Sequence, residues 1–150
     1  MQSTSAAPSL TLRRRYAVPR ERAFAAWTDP SIVATFFGPG EVTCKDVAMD
    51  VRPGGTYRIG MLSPDGELMY VGGTYREVVA PDRLSMTWRW EEDDPKDEHD
   101  TLLTIEFNDV GGETELVLTH TQLASVESRD KHEHGWSLIL DGFASVDLAR

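Results

Sequence analysis

The chain has 150 residues, of which 40% are hydrophobic and 9% aromatic; that is enough for one domain with a substantial core and is not the composition of a disordered chain. A formal net charge of -10 repels nucleic acid and anionic membrane surfaces at long range, and excludes both as partners. No apolar run approaches the ~18 residues needed to cross a bilayer, and Cys44, the single cysteine, excludes an internal disulfide and a multi-cysteine metal site; it reads as a small strand residue.

Residues 1–9 are small and polar, without the basic start and apolar run of a secretory signal, and read as a flexible leader on a cytoplasmic protein whose domain spans 10–150. A first strand is expected over Leu10 to Ala17, with Leu10, Leu12, Arg14 and Tyr16 on one face. The basic run Arg13, Arg14 and Arg15 alternates between the two faces with no aromatic series beside it, which suits a solvated strand better than a phosphate site. Pro19 stands where a helix begins. Ala23, Phe24 and Trp27, then Ile32, Val33, Phe36 and Phe37 after the break at Asp29-Pro30, predict two short helices with apolar faces. Glycine and proline turns cut the next stretch into strands over Val42 to Val51, Gly55 to Leu62, Glu67 to Val79, Arg83 to Glu91, Thr101 to Asn108 and Glu113 to Gln122. Gly72-Gly73 invites a bulge in the fourth strand of the chain, which would swap its faces partway.

Strand alternation gives the inward faces: Tyr57, Ile59 and Met61; Leu84, Met86, Trp88 and Trp90; Leu103, Ile105 and Phe107; and Leu116, Leu118 and His120. The acidic stretch from Glu91 to Asp100 lacks the calcium-loop spacing and reads as a solubilising hairpin loop. From Ser128 to Leu148 the period changes: Trp136, Ile139, Leu140, Phe143 and Val146 fall on one face of a long helix.

This order of elements, with the stretches Pro19 to Pro30 (PRERAFAAWTDP), Asp50 to Tyr57 (DVRPGGTY), Gly73 to Leu84 (GTYREVVAPDRL), Thr114 to His120 (TELVLTH) and Gly135-Trp136, resembles the START-like, or SRPBCC, superfamily. Within it the chain is similar to the branch named after the activator of the heat-shock-protein-90 ATPase. The resemblance covers Leu10 to the end. It implies an α+β helix-grip fold: a curved antiparallel sheet of about seven strands around the long C-terminal helix, with two short helices after strand one. It also implies a cavity beneath that helix, and leaves function open because one fold hosts many activities.

A set of aromatic and methionine side chains is the main positive signal, since flat rings and adaptable thioethers enclose apolar ligands as readily as they fill cores. It comprises Trp27, Phe36, Phe37, Met49, Tyr57, Met61, Trp88, Trp136 and Phe143, with Met69, Tyr70 and Trp90. The first nine, joined by Ile59, Leu140, His120 and His132, are the expected cavity lining. His120 could orient a ligand or act as acid or base, or be a satisfied core histidine. His132 shares a helix face with Trp136, four residues on. His132 and His134 diverge, so no metal site is assigned, and no cofactor is expected. Asp50 and Arg52, with Arg76 and Glu77, read as cross-strand ion pairs and turn support. No nucleophile elbow, paired carboxylates or phosphate loop appears, and no catalytic residue is assigned. The expected function is binding of a small hydrophobic or amphipathic molecule between sheet and helix. A chaperone-cofactor or protein-interaction module is the alternative, and a cyclase- or hydrolase-like enzyme using His120 the third reading; a homodimer and a chaperone stay open as partners.

Overall fold

The computed structural model describes residues 7–38, 40–92 and 99–146. The expected leader covers 1–9, of which 1–6 lie outside the described residues, as does most of the acidic stretch. The chain runs β1 (Leu10–Tyr16), α1 (Arg20–Trp27), α2 (Pro30–Phe36), β2 (Thr43–Met49), β3 (Thr56–Leu62), β4 (Leu68–Val79), β5 (Arg83–Trp90), β6 (Thr101–Val110), β7 (Glu113–Thr121) and α3 (Val126–Phe143). All seven strands form one antiparallel sheet in the order β1-β7-β6-β5-β4-β3-β2. β2 to β7 follow one another as a meander, each strand pairing with the next, and β1 returns to the far edge beside β7, with Leu12 opposite Leu118. The helix-grip α+β fold is thus present in full: sheet, two short helices and one long C-terminal helix.

Two extra residues curl this sheet. Lys45 is inserted in β2, between the pairs Cys44–Met61 and Asp46–Gly60, and Arg76 in β4, between Tyr75–Met86 and Glu77–Ser85. Each insertion bends its strand and moves the inward face to the other parity. In β4, Val71 and Tyr75 are buried before the bulge, and Val78 packs on the core after it. The expected bulge at Gly72-Gly73 is therefore corrected: both glycines stay in register, opposite Arg58 and Tyr57 of β3. Their role is close approach. A Cβ on Gly72 would stand 2.5 Å from the Tyr57 carbonyl oxygen, and one on Gly73 2.0 Å from that of Thr87.

Asp50, Arg52 and Glu77 act in ion pairs and turn support. Glu77 takes Arg83 across the β4–β5 ladder at 2.9 Å, while Arg52 folds back on Asp50 within its own turn at 2.9 Å. On β1, Arg13, Arg14 and Arg15 meet Glu115, Asp141 and Glu113. Asp29 caps α2 by accepting from the Ser31 amide at 3.0 Å, with Pro30 in the first turn. Ser125 caps α3 through the Ser128 amide. That cap starts the long helix two residues earlier than the apolar pattern alone suggests. The helix stops at Phe143, five residues short of the expected Leu148, which lies outside the described residues. Val146 still reaches the core, from a turn in which its amide bonds the Phe143 carbonyl.

Candidate functional site: an apolar groove between the long helix and the sheet

The two halves of α3 are held differently. Around its C-terminal half, Phe143 meets Tyr16, Phe36 and Trp27 at ring-centroid distances of 4.9, 4.8 and 5.7 Å. The buried Tyr16 hydroxyl donates to the Leu140 carbonyl at 2.7 Å, and burial raises its pKa well above that of a free phenol. Arg14 adds a bond to Ser137 at 2.8 Å. This clamp seats the helix closest to β1 and α2. Before this clamp, from Lys131 to Ile139, the helix leaves a groove on the side of β3, β4 and β5.

That groove has a volume of about 330 Å³ and is lined by Met61, Met69, Trp88 and Trp90 from the sheet and by Lys131, His132, Gly135, Trp136 and Ile139 from α3. The volume is at the lower end for small-molecule sites, and the lining is almost wholly apolar, with three indoles and two thioethers. On α3 the lining positions recur at intervals of three and four, one stripe of the helix. A smaller hollow of about 150 Å³ adjoins it, sharing Trp88, Trp90 and His132. Between the two hollows stands a hydrogen bond of 3.0 Å from the Trp90 indole N–H to His132 Nε2. His132 Nδ1 donates in turn to the Ser128 carbonyl at 2.8 Å, which fixes its neutral tautomer.

His120 is arranged in the same way one layer deeper. It is fully buried, accepts the Trp136 indole N–H at Nδ1 (3.0 Å) and meets Thr101 Oγ1 from Nε2 at 2.6 Å. Thr101 donates onward to the Trp88 carbonyl at 2.8 Å, so it accepts from His120, and the proton of the imidazole sits on Nε2. Burial, with the neighbouring His132 second, lowers the His120 pKa to about 3. Burial lowers that of His132 as well, against the opposing pull of the Ser128 carbonyl. With its one lone pair committed to an indole, His120 has no free site to take a substrate proton. It orients Trp136, whose ring is 4.8 Å from that of Trp88 across the groove wall.

Of the expected lining residues, the structure brings Met61, Trp88, His132 and Trp136 to the groove. Trp27, Phe37, Met49, Tyr57 and Ile59, again with Trp88, surround an interior void of only about 20 Å³. Trp88 is thus the wall between void and groove. The indole N–H groups of Trp27 and Trp88 have no partner in the protein, a cost of about 1–3 kcal/mol for a buried donor. Phe36, Leu140, Phe143 and His120 line neither space and pack in the core. A larger hollow, about 960 Å³, lies mostly on the outward-facing side of β2 to β5. Its walls carry the exposed pairs Arg58–Glu91 at 2.7 Å and Arg89–Asp100 at 2.6 Å, charges already answered by one another in water, and it is not the candidate site.

Two further residues, Lys131 and Gly135, stand on the groove wall without having been expected there. Lys131 is exposed and, among the described residues, makes no ion pair. Gly135 stands in the middle of α3, where glycine costs about 1 kcal/mol relative to alanine; a Cβ there would meet no atom within 4 Å. A glycine inside a helical pattern was the signal available in the sequence.

A curled antiparallel sheet gripping a C-terminal helix over an apolar groove defines the helix-grip class of START-like proteins. The chain belongs to the family described as Activator of Hsp90 ATPase homolog 1-like protein, whose model matches residues 17–146. Among solved structures it is similar to a protein of Chromobacterium violaceum, with 27% identity over 91% of this chain and 94% of that one and a TM-score of 0.83. It is also similar to the AHSA1 protein of Silicibacter pomeroyi, with 26% identity over 92% and 96% of the two chains and a TM-score of 0.82. A protein of Arthrobacter aurescens, 22% identical over 95% and 87%, shares the fold at a TM-score of 0.81. No curated protein matches the chain.

Proposed function

We infer that the protein binds a small apolar molecule in the groove between α3 and strands β3 to β5. One observation carries this reading: an open hollow of about 330 Å³ walled by Trp88, Trp90, Trp136, Met61 and Met69. Trp88, Trp136 and Met61 are already buried and form the floor, so a ligand covers chiefly Trp90 and the exposed Met69, gaining roughly 25 cal/mol per Å² of apolar surface removed from water. An enzyme built on His120 has less support, because both ring nitrogens are already engaged by protein. The activity in the family's name, activation of a chaperone ATPase, is likewise less well supported. The exposed large hydrophobic side chains among the described residues are Leu68, Met69, Val79 and Val126, dispersed along β4 and at the start of α3, with no continuous apolar patch outside the groove mouth.

The test is titration with N-phenylnaphthylamine, a neutral apolar fluorophore, while tryptophan emission is followed. Saturable one-site binding with quenching is expected, since three of the four tryptophans wall the groove. Met69→Trp, at a half-open rim position, should fill the groove and weaken binding at least about tenfold. Binding that never saturates, or that Met69→Trp leaves unchanged, rules the site out.

A further inference from the structure

Gly135 is a helix residue that the fold itself does not call for. Apart from its chain neighbours and the adjoining helix backbone, nothing lies within 4 Å of where its Cβ would be, so no packed neighbour forces the position to be small. Its backbone is ordinary right-handed helix inside α3, so no dihedral forces it either. The usual reasons for glycine, a positive φ or close packing of another segment, are both missing. The one thing it clears is the groove, whose wall it forms together with Lys131, one turn nearer the start of α3, and Trp136 beside it. Facing them are Trp88 and Trp90, both on the inward side of β5.

Resting on the reading of this groove as a binding site, we propose that Gly135 sets its specificity, and that the ligand is a flat aromatic acid. The ring lies against the bare backbone of α3 at Gly135 and meets the indoles of β5 from the other side, one by its face and the other by its edge, since the planes of Trp88 and Trp90 stand at 89°. The acidic group reaches Lys131, the one cationic side chain on the lining. A flat body is favoured because aromatic rings make offset and edge contacts with indoles, and the perpendicular Trp88 and Trp90 offer one of each. An acid is required because Lys131 makes no ion pair among the described residues, whereas its neighbour Arg129 is held by Asp130 at 3.1 Å. The ammonium is therefore free to meet an anion at the groove mouth.

Two probes that share one ring system separate these claims: neutral N-phenylnaphthylamine and its sulfonated counterpart, anilinonaphthalene sulfonate. Each is titrated into the native protein, Gly135→Ala, Gly135→Leu and Lys131→Met, and every variant is melted by circular dichroism. Both Gly135 variants should melt at the native temperature or up to about 2–4 °C above it, since a better helix former replaces glycine at an uncrowded site. Gly135→Ala should bind both probes several-fold more weakly, and Gly135→Leu at least about tenfold more weakly. Lys131→Met should keep the affinity for the neutral probe and lose about fivefold or more for the sulfonate. The proposal is overturned if the Gly135 variants bind within about twofold of the native protein, or if they melt lower, which would make the glycine structural. It is overturned equally if Lys131→Met affects the two probes alike. A native protein that binds neither probe defeats the binding reading itself, which is a different result from unaltered binding by the variants.

Discussion

His120 carries the clearest consequence at the scale of single residues. Its place on the apolar face was legible from strand parity with Leu116 and Leu118, and all three are fully buried. Its partners were not legible, because Thr101 and Trp136 reach it from another strand and from the helix, 19 and 16 residues away in sequence. Those partners decide its chemistry. Above pH 6.5, the ordinary histidine value, the imidazole is neutral in the folded and unfolded chains alike. Below it the unfolded chain binds a proton that the folded one refuses until about pH 3. The stability that His120 contributes is therefore complete above pH 6.5 and is lost as the pH falls from there toward 3. Between pH 7 and 5 the loss from this one group is about 1.5–2 kcal/mol. Urea unfolding at the two pH values measures it, with His120→Gln as the reference that should show a correspondingly flatter dependence. Equal slopes in the two proteins would mean that the buried imidazole takes up its proton without unfolding.

Among the elements, α3 shows how a regular sequence pattern hides an uneven mechanical role. Its apolar stripe reads as uniform, yet the aromatic clamp of Tyr16, Trp27 and Phe36 is gathered at Phe143, while the stretch from Lys131 to Ile139 borders the groove. Opening the C-terminal half must break the Tyr16–Leu140 bond and the ring contacts together. Opening the N-terminal half exposes a wall that already meets solvent. Amides of the last two turns, Leu138 to Phe143, should therefore exchange hydrogen at least about tenfold more slowly than those of Arg129 to Gly135, and mass-resolved exchange measures this directly. Uniform protection along the helix would refute the two-part picture. The strands were legible to within a few residues because turns such as Pro64-Asp65-Gly66 and Gly111-Gly112 punctuate them. A bulge in β4 was legible but not its place at Arg76, and the one at Lys45 was not legible at all, because an inserted polar residue leaves no mark until the opposing strand fixes the register. Missing them hid which of the inward aromatics surround the small void and which reach the groove.

For the whole molecule, the balance between net charge and local ion pairs sets how the fold responds to salt. A domain of this length has a radius of gyration of about 15 Å, shorter than the Debye length of about 30 Å at 0.01 M ionic strength and longer than the 8 Å at 0.15 M. At low salt every part of the chain thus feels the net charge of -10, and self-repulsion opposes the compact state. The attractive contacts act over much shorter distances, from 2.6 Å at Arg20–Asp82 to 3.8 Å at Arg13–Glu115. They lie well inside the screening length at either ionic strength, and each exposed pair contributes only about 0.2–1 kcal/mol. Salt therefore removes more repulsion than attraction. The midpoint of thermal unfolding at pH 7.5, where both buried histidines are neutral, should rise by about 2 °C or more between 0.01 and 0.15 M sodium chloride. A fall would show that the paired side chains of the outer face, Arg58–Glu91 and Arg89–Asp100 foremost, hold the curled sheet more firmly than their exposure suggests.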